Sequence, residues 1–368
     1  MHVLQVAWEY PPRLFGGLGR HVEGLTSALA AVGVDVTVLT PHHSNGEVAP
    51  KGVGVLRAAA PGAALPPDRW LADVLDANVL MAERALRAGV VADVVHVHDW
   101  MAGHAARVLA PALGLGVVAT VHATERGRHM GHLPPGFSAW IDAQERALVG
   151  LADRVIVCAP HMADHVVTSL GADPADVSVI RNGVAVPAWV EVTPRRPGRA
   201  PRVVFAGRLE HEKGVEVLIE ATRGLPCQLV IAGQGSDGPR LRRIAHARTS
   251  FEGHLAQPDL AALMRSAAVV VVPSRYEPFG LAALEAMAAG VPVVASAVGG
   301  LVDVVVPGSG LLVAPDDPVA LAAAIRRVLA DPALARALVT GGTARAASLS
   351  WQATAEAHLP LYAAVRRW

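Results

Sequence analysis

The feature that most constrains this chain is an alternation of short β-branched runs with longer amphipathic patterns, which pauses once and then starts again. Parallel strands cannot be joined by a tight turn and need a crossover, usually a helix, so this alternation argues for parallel sheets covered by helices. Val3–Ala7 reads as the first strand. After a glycine-rich loop, Leu18, Val22, Leu25, Leu29 and Val32 recur at helical spacing, with Arg20, Glu23 and Ser27 opposite. Val34–Leu39, Val94–Val97, Val117–Val121 and Arg154–Cys158 read as further strands, and Val177–Ile180 closes the first set.

The pause falls at residues 187–201, which hold four prolines and three arginines with no sustained periodicity. Proline removes a backbone donor and breaks helix interiors, so this stretch reads as a linker. The alternation resumes with strands at Arg202–Ala206, Gln228–Ala232, Val269–Val272, Val291–Ala295 and Leu311–Val313. Helices are expected at Val215–Thr222, Pro258–Ser266, Leu281–Ala289 and Pro318–Leu329. The expected division is therefore a domain over residues 1–186, a linker over 187–201 and a second domain over 202–349. The closing segment, Ser350–Arg367, begins with a good N-cap, and Pro360 is expected to kink it. Ligands of open parallel sheets sit outside the carboxyl ends of the strands, so two such sheets facing each other would leave a cleft for them.

A length of 368 residues suits two such domains, and 52% hydrophobic with 17% charged residues is enough for two cores. Lys+Arg and Asp+Glu balance at 32 each, which argues against a nucleic-acid binder working by bulk charge. Cys158 and Cys227 are the only cysteines, too few for a disulfide scaffold or a cysteine-built zinc site, and a reduced, cytoplasmic setting fits. No basic lead region opens the chain and Glu9 interrupts the first apolar stretch, so no secretory leader is expected. Ala286–Val302 is an uncharged run of 17 residues, but it contains Pro292 and three glycines, and no membrane span is expected. Arg195, Arg196, Arg199 and Arg202 cluster at the linker and read as a solvated face, with a membrane-surface role the lesser reading.

Four segments can carry chemistry. In residues 276–290, YEPFGLAALEAMAAG, Pro278 and Gly280 hold Glu277 in a loop, and a helix begins near Leu281. Glu285 lies in that helix among Leu281, Ala282, Ala288 and Ala289. A carboxylate buried there needs a bonding partner, either a ligand hydroxyl or a nearby arginine. In residues 207–214, GRLEHEKG, Arg208 and Lys213 share a loop between strand and helix, which suits a diphosphate, against the plainer reading of a solvated charged loop. Gly16 and Gly17 in the first loop allow close approach of a phosphate or sugar, or simply a tight turn. Their spacing is not a dinucleotide fingerprint. His98-Asp99-Trp100 and residues 120–133, TVHATERGRHMGHL, both follow strands. Asp99, Glu125, Arg126 and Arg128 there suit acceptor hydroxyls, beside His122. Gly233 and Gly235 form a flexible turn after another strand. His122, His129 and His132 have the wrong spacing for a shared helix face, and His161 with His165 lacks a third ligand, so no metal site is expected. No D-x-D pair is present to hold a divalent cation on a diphosphate.

Taken together these motifs resemble the family-4 retaining glycosyltransferases, over nearly the whole chain. The most specific parts are Glu277 with Glu285 (E-x7-E) and Gly207 to Gly214 (G-R-L-x-x-x-K-G). The resemblance implies an α/β GT-B fold, two Rossmann-like parallel-sheet domains facing across a cleft, with the final helix, residues 350–368, crossing back onto the first domain. It implies a nucleotide-sugar donor on the second domain, held by Arg208 and Lys213 at the diphosphate, Glu285 at the ribose and Glu277 at the sugar hydroxyls. Gly16 and Gly17 would close over the phosphates, and His122 would lie beside the anomeric carbon. Catalysis would then rest on His122, Glu277, Arg208 and Lys213. Donor binding would add Gly16, Gly17, Gly233, Gly235, Phe279, Gly280, Leu281 and Glu285, with no metal and no cofactor beyond the substrate. WEYPP–GGLGRH and HATERGRH are most similar to bacterial glycogen-synthase-like enzymes that lengthen α-1,4-glucans. Glycogen synthases proper carry a lysine two residues before the first glycine of the pair, where this chain has Leu14 beside Arg13, so UDP-glucose stands level with ADP-glucose.

The expected function is hexosyl transfer, with glucose the expected hexose, from a nucleotide diphosphate sugar to a carbohydrate acceptor. Alternatives are a family-4 transferase acting on a small metabolite or lipid, a nucleotide-sugar 2-epimerase of the same architecture and a non-catalytic nucleotide-sugar binder. The acceptor and the oligomeric state are left open.

Overall fold

The computed structural model describes residues 1–12, 14, 16–41, 51–58, 70–196 and 200–367. Arg13 and Arg199, named above, fall outside them. The chain divides into two compact units, Met1–Gly183 with Trp351–Trp368, and Val184–Ser350.

Unit 1 is built on seven parallel strands: β1 (His2–Ala7), β2 (Asp35–Pro41), β3 (Val53–Ala58), β4 (Val94–His98), β5 (Gly116–Val121), β6 (Arg154–Val157) and β7 (Val177–Val179). They lie in the order β3-β2-β1-β4-β5-β6-β7. Both faces are covered, so the central strands are apolar at successive positions, as in the fully buried VVHVH and GVVATV. One core gathers Val3, Val22, Leu25, Leu29 and Val36 with Ala355 and Tyr362, and a second gathers Leu4, Leu39, Met81, Val95 and Leu109.

The helix Trp351–Val365 belongs to this unit and runs on through Pro360. It packs on the helix Gly17–Ala31 where Gly24 meets the Trp351 indole: a Cβ at Gly24 would stand 2.2 Å from Trp351 Cε2. At its far end the Val365 carbonyl oxygen would be 2.0 Å from a Cβ at Gly116. Two glycines thus let the last helix reach the sheet.

Unit 2 repeats the plan with β8 (Arg202–Ala206), β9 (Gln228–Ala232), β10 (Thr249–Gly253), β11 (Val269–Val272), β12 (Val293–Ser296) and β13 (Leu311–Val313). Their order is β10-β9-β8-β11-β12-β13, all parallel. In both sheets the order turns back between the first and fourth strands of the unit, the topological switch point at which doubly wound sheets bind ligands.

The segment read as a linker is partly structured: Val186–Val190 is a helix with Pro187 in its first turn, packed on the helices Gln257–Arg265 and Leu281–Ala288. Proline is tolerated there because a first-turn N–H has no intrahelical acceptor. The edge strands β3 and β10 and the helices Trp70–Arg87 and Pro332–Ala347 lie beyond the elements read from the sequence.

Candidate active site

In unit 2, β8 ends at Ala206 and the next residues turn back into the helix Val215–Thr222. Arg208 Nη2 donates to Glu212 Oε1 at 2.7 Å. Lys213 Nζ donates to Glu277 Oε2 at 2.9 Å, and Ser274 Oγ donates to the same oxygen at 3.2 Å. Glu277 lies beyond the end of β11, so two motifs 64 residues apart meet beside neighbouring strands at the switch point. The Glu277 carbonyl accepts from Gly300 N–H at 2.8 Å, which pins the loop. Phe279 is buried, Gly280 turns into the helix Leu281–Ala288 at φ 108°, and Leu281 is half-buried at its start. Glu285, in the second turn, is buried and not without a partner.

Gly233 and Gly235 are there for space. Gly233, at φ 144°, would place a Cβ 1.8 Å from the Gly207 carbonyl oxygen, and Gly235 would place one 2.3 Å from that of Leu209. Leu209 N–H donates to the Gln234 carbonyl at 2.8 Å, and Glu210 accepts from Ser236 N–H at 3.0 Å and from Ser236 Oγ at 2.5 Å. The loops after β8 and β9 are thereby zipped together, and only residues without a side chain fit the seam.

In unit 1, Gly16 precedes the helix Gly17–Ala31 and its N–H donates to Glu9 Oε2 at 3.3 Å. Gly17 is exposed and Gly16 and Leu14 half-buried. Asp99 follows β4 at φ 56°, in the left-handed region that costs a non-glycine residue energy. That conformation brings its buried carboxyl Oδ1 to accept from His122 N–H at 2.7 Å, which ties the ends of β4 and β5 together. Burial pushes the Asp99 pKa up to about 7.

His122 Nε2 is 3.1 Å from His98 Nδ1, and its ring stands edge-on to His21 at 4.5 Å. Burial, and secondarily His358, pushes its pKa down to about 3, so the ring is neutral. His21 and His98 are also held well below the ordinary imidazole value by burial and by their neighbours. The facing nitrogens of His21, His98 and His122 lie within 4.8 Å of one another, near enough by distance to hold a metal ion, although two of them already share a hydrogen bond. This trio is not one of the histidine sets weighed from the sequence. Its members come from a helix and two strand ends, and no spacing rule joins them.

The loop after β5 is more self-engaged than its residue types imply. Glu125 Oε1 accepts from Ser138 Oγ at 2.6 Å and faces His129 Nε2 at 3.2 Å. Arg126 Nε lies 3.4 Å from Asp142 Oδ1, and Arg128 is not without a partner. The buried Glu145 accepts from Glu125 N–H at 2.8 Å, and burial pushes its pKa up to about 8. Glu145, His21 and Gln5 are site-adjacent residues that sequence reading did not single out.

Two parallel-sheet domains, one with an Arg–Lys–Glu cluster at its switch point, define the two-domain glycosyltransferase class. Residues 15–186 match the model of Glycosyltransferase Family 4, and residues 192–345 match that of Glycosyl transferases group 1. The chain is 40% identical over 403 aligned positions to a glycogen synthase of Mycobacterium tuberculosis, covering 100% of this chain and 95% of the relative. It is 34% identical to an alpha-maltose-1-phosphate synthase of Mycolicibacterium smegmatis, covering 98% and 99%. Among solved structures, a sucrose-phosphate synthase of Thermosynechococcus elongatus superposes with a TM-score of 0.84 at 29% identity over 99% of both chains. The catalytic domain of starch synthase IV from Arabidopsis thaliana shares the fold, with a TM-score of 0.77 over 99% of both chains at 17% identity. The protein belongs to the family-4, group-1 glycosyltransferases.

Proposed function

We propose that this enzyme moves a glucosyl group from a nucleoside diphosphate glucose to a carbohydrate hydroxyl, with retention, and extends an α-1,4-glucan. The observation that carries the reading is the meeting of Arg208, Lys213 and Glu277 at the switch point of unit 2. Both cations are held by carboxylates, Glu212 and Glu277, so a diphosphate arriving there exchanges partners with groups already in place. Preorganised charge of this kind stabilises a leaving diphosphate without reorganisation at the moment of reaction. Relatives named glycogen synthase support the glucan acceptor.

The acceptor oxygen bonds to the anomeric carbon on the face from which the diphosphate leaves, and the acceptor proton passes to the departing phosphate oxygen. Arg208 and Lys213 offset the charge that develops on the diphosphate, and the reading needs no metal. Glu277 binds sugar hydroxyls and Glu285 the ribose. In unit 1, His122 suits a ring facing a sugar that gains positive charge, because its imidazole is neutral and adds no repulsion. A cytoplasmic setting, where nucleotide sugars are made, goes with the two free buried cysteines. Among the described residues no helix is long and apolar enough to cross a membrane.

A second reading has a small phosphorylated acceptor. One relative named alpha-maltose-1-phosphate synthase and one named D-inositol 3-phosphate glycosyltransferase align over 98% and 95% of this chain, and Arg126 and Arg128 lie in the loop after β5 that begins with His122. The test is nucleotide release from UDP-glucose, ADP-glucose and GDP-mannose, each alone, with maltooligosaccharides and with glucose 1-phosphate. Stimulation by maltooligosaccharides, lost in Glu277→Ala, supports the glucan reading. Stimulation by glucose 1-phosphate alone replaces it with the second, and no release from any donor overturns both.

A further inference from the structure

Behind His122 a chain of polar side chains runs through the core of unit 1. His122 Nε2 meets His98 Nδ1 at 3.1 Å, and His98 Nε2 meets Gln5 Oε1 at 2.6 Å. Gln5 Nε2 donates to the Tyr362 hydroxyl at 3.2 Å, that hydroxyl meets His96 Nδ1 at 2.7 Å, and His96 Nε2 meets Thr120 Oγ1 at 2.7 Å. Gln5, His96, His98 and Tyr362 are all fully buried. So long a buried polar chain is tolerable only when every member is satisfied.

The protons can be placed one after another. A neutral imidazole has one donor nitrogen and one acceptor. Gln5 presents its carbonyl oxygen to His98, so His98 Nε2 carries the hydrogen and its Nδ1 is bare. That bare nitrogen accepts from His122 Nε2–H, which leaves His122 Nδ1 bare. At the other end the Tyr362 hydroxyl accepts from the Gln5 amide and so gives its single proton to His96 Nδ1. His96 Nε2–H then donates to Thr120 Oγ1. Reversing the Gln5 amide reverses every bond, with His122 then carrying its hydrogen on Nδ1. The chain therefore has two self-consistent polarities, and the Tyr362 hydroxyl ties its two halves to one of them: in the first it is the acceptor that the Gln5 N–H needs, and without it that buried donor is left unpaired. Among the described residues Nδ1 of His122 has no hydrogen-bond partner, so its state is what the ring offers outward.

We propose that Tyr362, on the last helix of the chain, is a positioning residue that sets the tautomer of His122 through Gln5 and His98, so that the ring presents a bare Nδ1 lone pair to a hydroxyl. The inference rests on the reading of His122 as the reaction-side histidine, but its first readout is independent of activity.

The experiment is long-range proton–nitrogen correlation spectroscopy on protein labelled with 15N in histidine, together with steady-state kinetics. In the unaltered protein His122 and His98 are both expected as the Nε2–H tautomer. Tyr362→Phe is expected to shift both toward Nδ1–H and to lower kcat roughly tenfold, about the weight of one net hydrogen bond, with KM for the donor unchanged. Gln5→Glu added to Tyr362→Phe supplies an acceptor-only group to His98 and is expected to restore both the tautomer and the rate. Should Tyr362→Phe not fold, Gln5→Met severs the same link and is expected to give the same spectral change. Unchanged His122 nitrogen shifts in the variants, or an Nδ1–H ring in the unaltered protein, would overturn the proposal. A tautomer that moves as described in a protein inactive with every donor would uphold the relay and remove the transferase reading instead.

Discussion

Lys213 Nζ stands 2.9 Å from Glu277 Oε2, and the two side chains are only 15% and 14% exposed. This pair joins the two sequence motifs that carry the functional reading. A pair so shielded from water is coupled more strongly than a surface ion pair, whose median worth is about 0–1 kcal/mol.

The first prediction tests that coupling. Lys213→Met leaves a carboxylate with little water access, and Glu277→Gln leaves an ammonium in the same position, so each single change is expected to cost more than the pair together. A double-mutant cycle read by denaturant unfolding is expected to give an interaction of at least about 1 kcal/mol. With activity as the readout, Lys213→Met is expected to lower kcat/KM by about a hundredfold or more, the scale of losing one preorganised charge partner. An interaction near zero would mean that the pair does not form in solution.

The second prediction concerns Gly233. Alanine there would place its Cβ 1.8 Å from a backbone oxygen, which no side-chain motion relieves. Gly233→Ala is expected to cost more than about 2 kcal/mol of unit 2 stability and to raise KM for the donor, because the loop bearing Arg208 must move. Gly224→Ala, at a position where a Cβ meets nothing within 4 Å, is the control and should be close to neutral. A neutral Gly233→Ala would remove the account of this turn.

Much of this is legible in the sequence. Arg202–Ala206, Gln228–Ala232 and Val269–Val272 stand as read, because centrally buried parallel strands are continuous apolar runs, and Leu311–Val313, at a sheet edge, is legible because its own residues are all apolar. Two of the edge strands, β3 and β10, were not legible. TSFEG and VGVLRA carry polar residues and glycine, and their pairing comes from the neighbouring strand rather than from their own pattern. The helix Pro332–Ala347 hides for another reason: Gly341 and Gly342 interrupt its pattern, yet Gly341 is needed for packing, since a Cβ there would lie 2.1 Å from the Gly308 carbonyl oxygen. The site divides the same way. Arg208, Lys213, Glu277 and Glu285 lie in contiguous motifs with a chemical logic. Gln5, His21 and Tyr362 are single residues from distant segments, brought to His98 only by the sheet and the helices packed on it.

The third prediction follows from that last helix. Gly24 admits the Trp351 indole, with no room for a methyl group. Gly24→Val is expected to loosen the helix Trp351–Val365 from unit 1, read as faster amide hydrogen exchange across that helix and its neighbour Gly17–Ala31, while exchange in unit 2 is unchanged. Because Tyr362 leaves the buried chain with it, the His96 and His98 nitrogen signals should move as well. Protection of Trp351–Val365 equal to that of the unaltered protein would count against this docking.

The fourth prediction is a stability maximum near neutral pH, and its sign comes from two opposed sets of buried groups. His21, His96, His98, His122 and His358 face one another and Tyr362, and burial holds all five below the ordinary imidazole value, His122 at about 3 and His358 at about 4. The unfolded chain protonates these rings as pH falls below about 6.5 while the folded chain does not, so acid removes stability progressively from there downward. Asp99, facing His122, Arg128 and Glu9, and Glu145, facing Glu125, Asp99 and Arg128, shift the other way, to about 7 and about 8. The folded chain keeps those two protons after the unfolded chain has released its own, so their contribution is fully present below the ordinary carboxyl range and is lost as pH rises through about 7 and 8. Between about pH 4.5 and 6.5 five rings outweigh two carboxyls and stability climbs, and above about 6.5 only the carboxyls still act and it declines. Thermal unfolding of the whole protein from about pH 4 to 9 is expected to show Tm highest near pH 6.5. Glu145→Gln keeps the acceptor for Glu125 N–H and should flatten the alkaline decline. A Tm that keeps rising through about pH 8 would show that these two carboxyls are ionised in the folded protein.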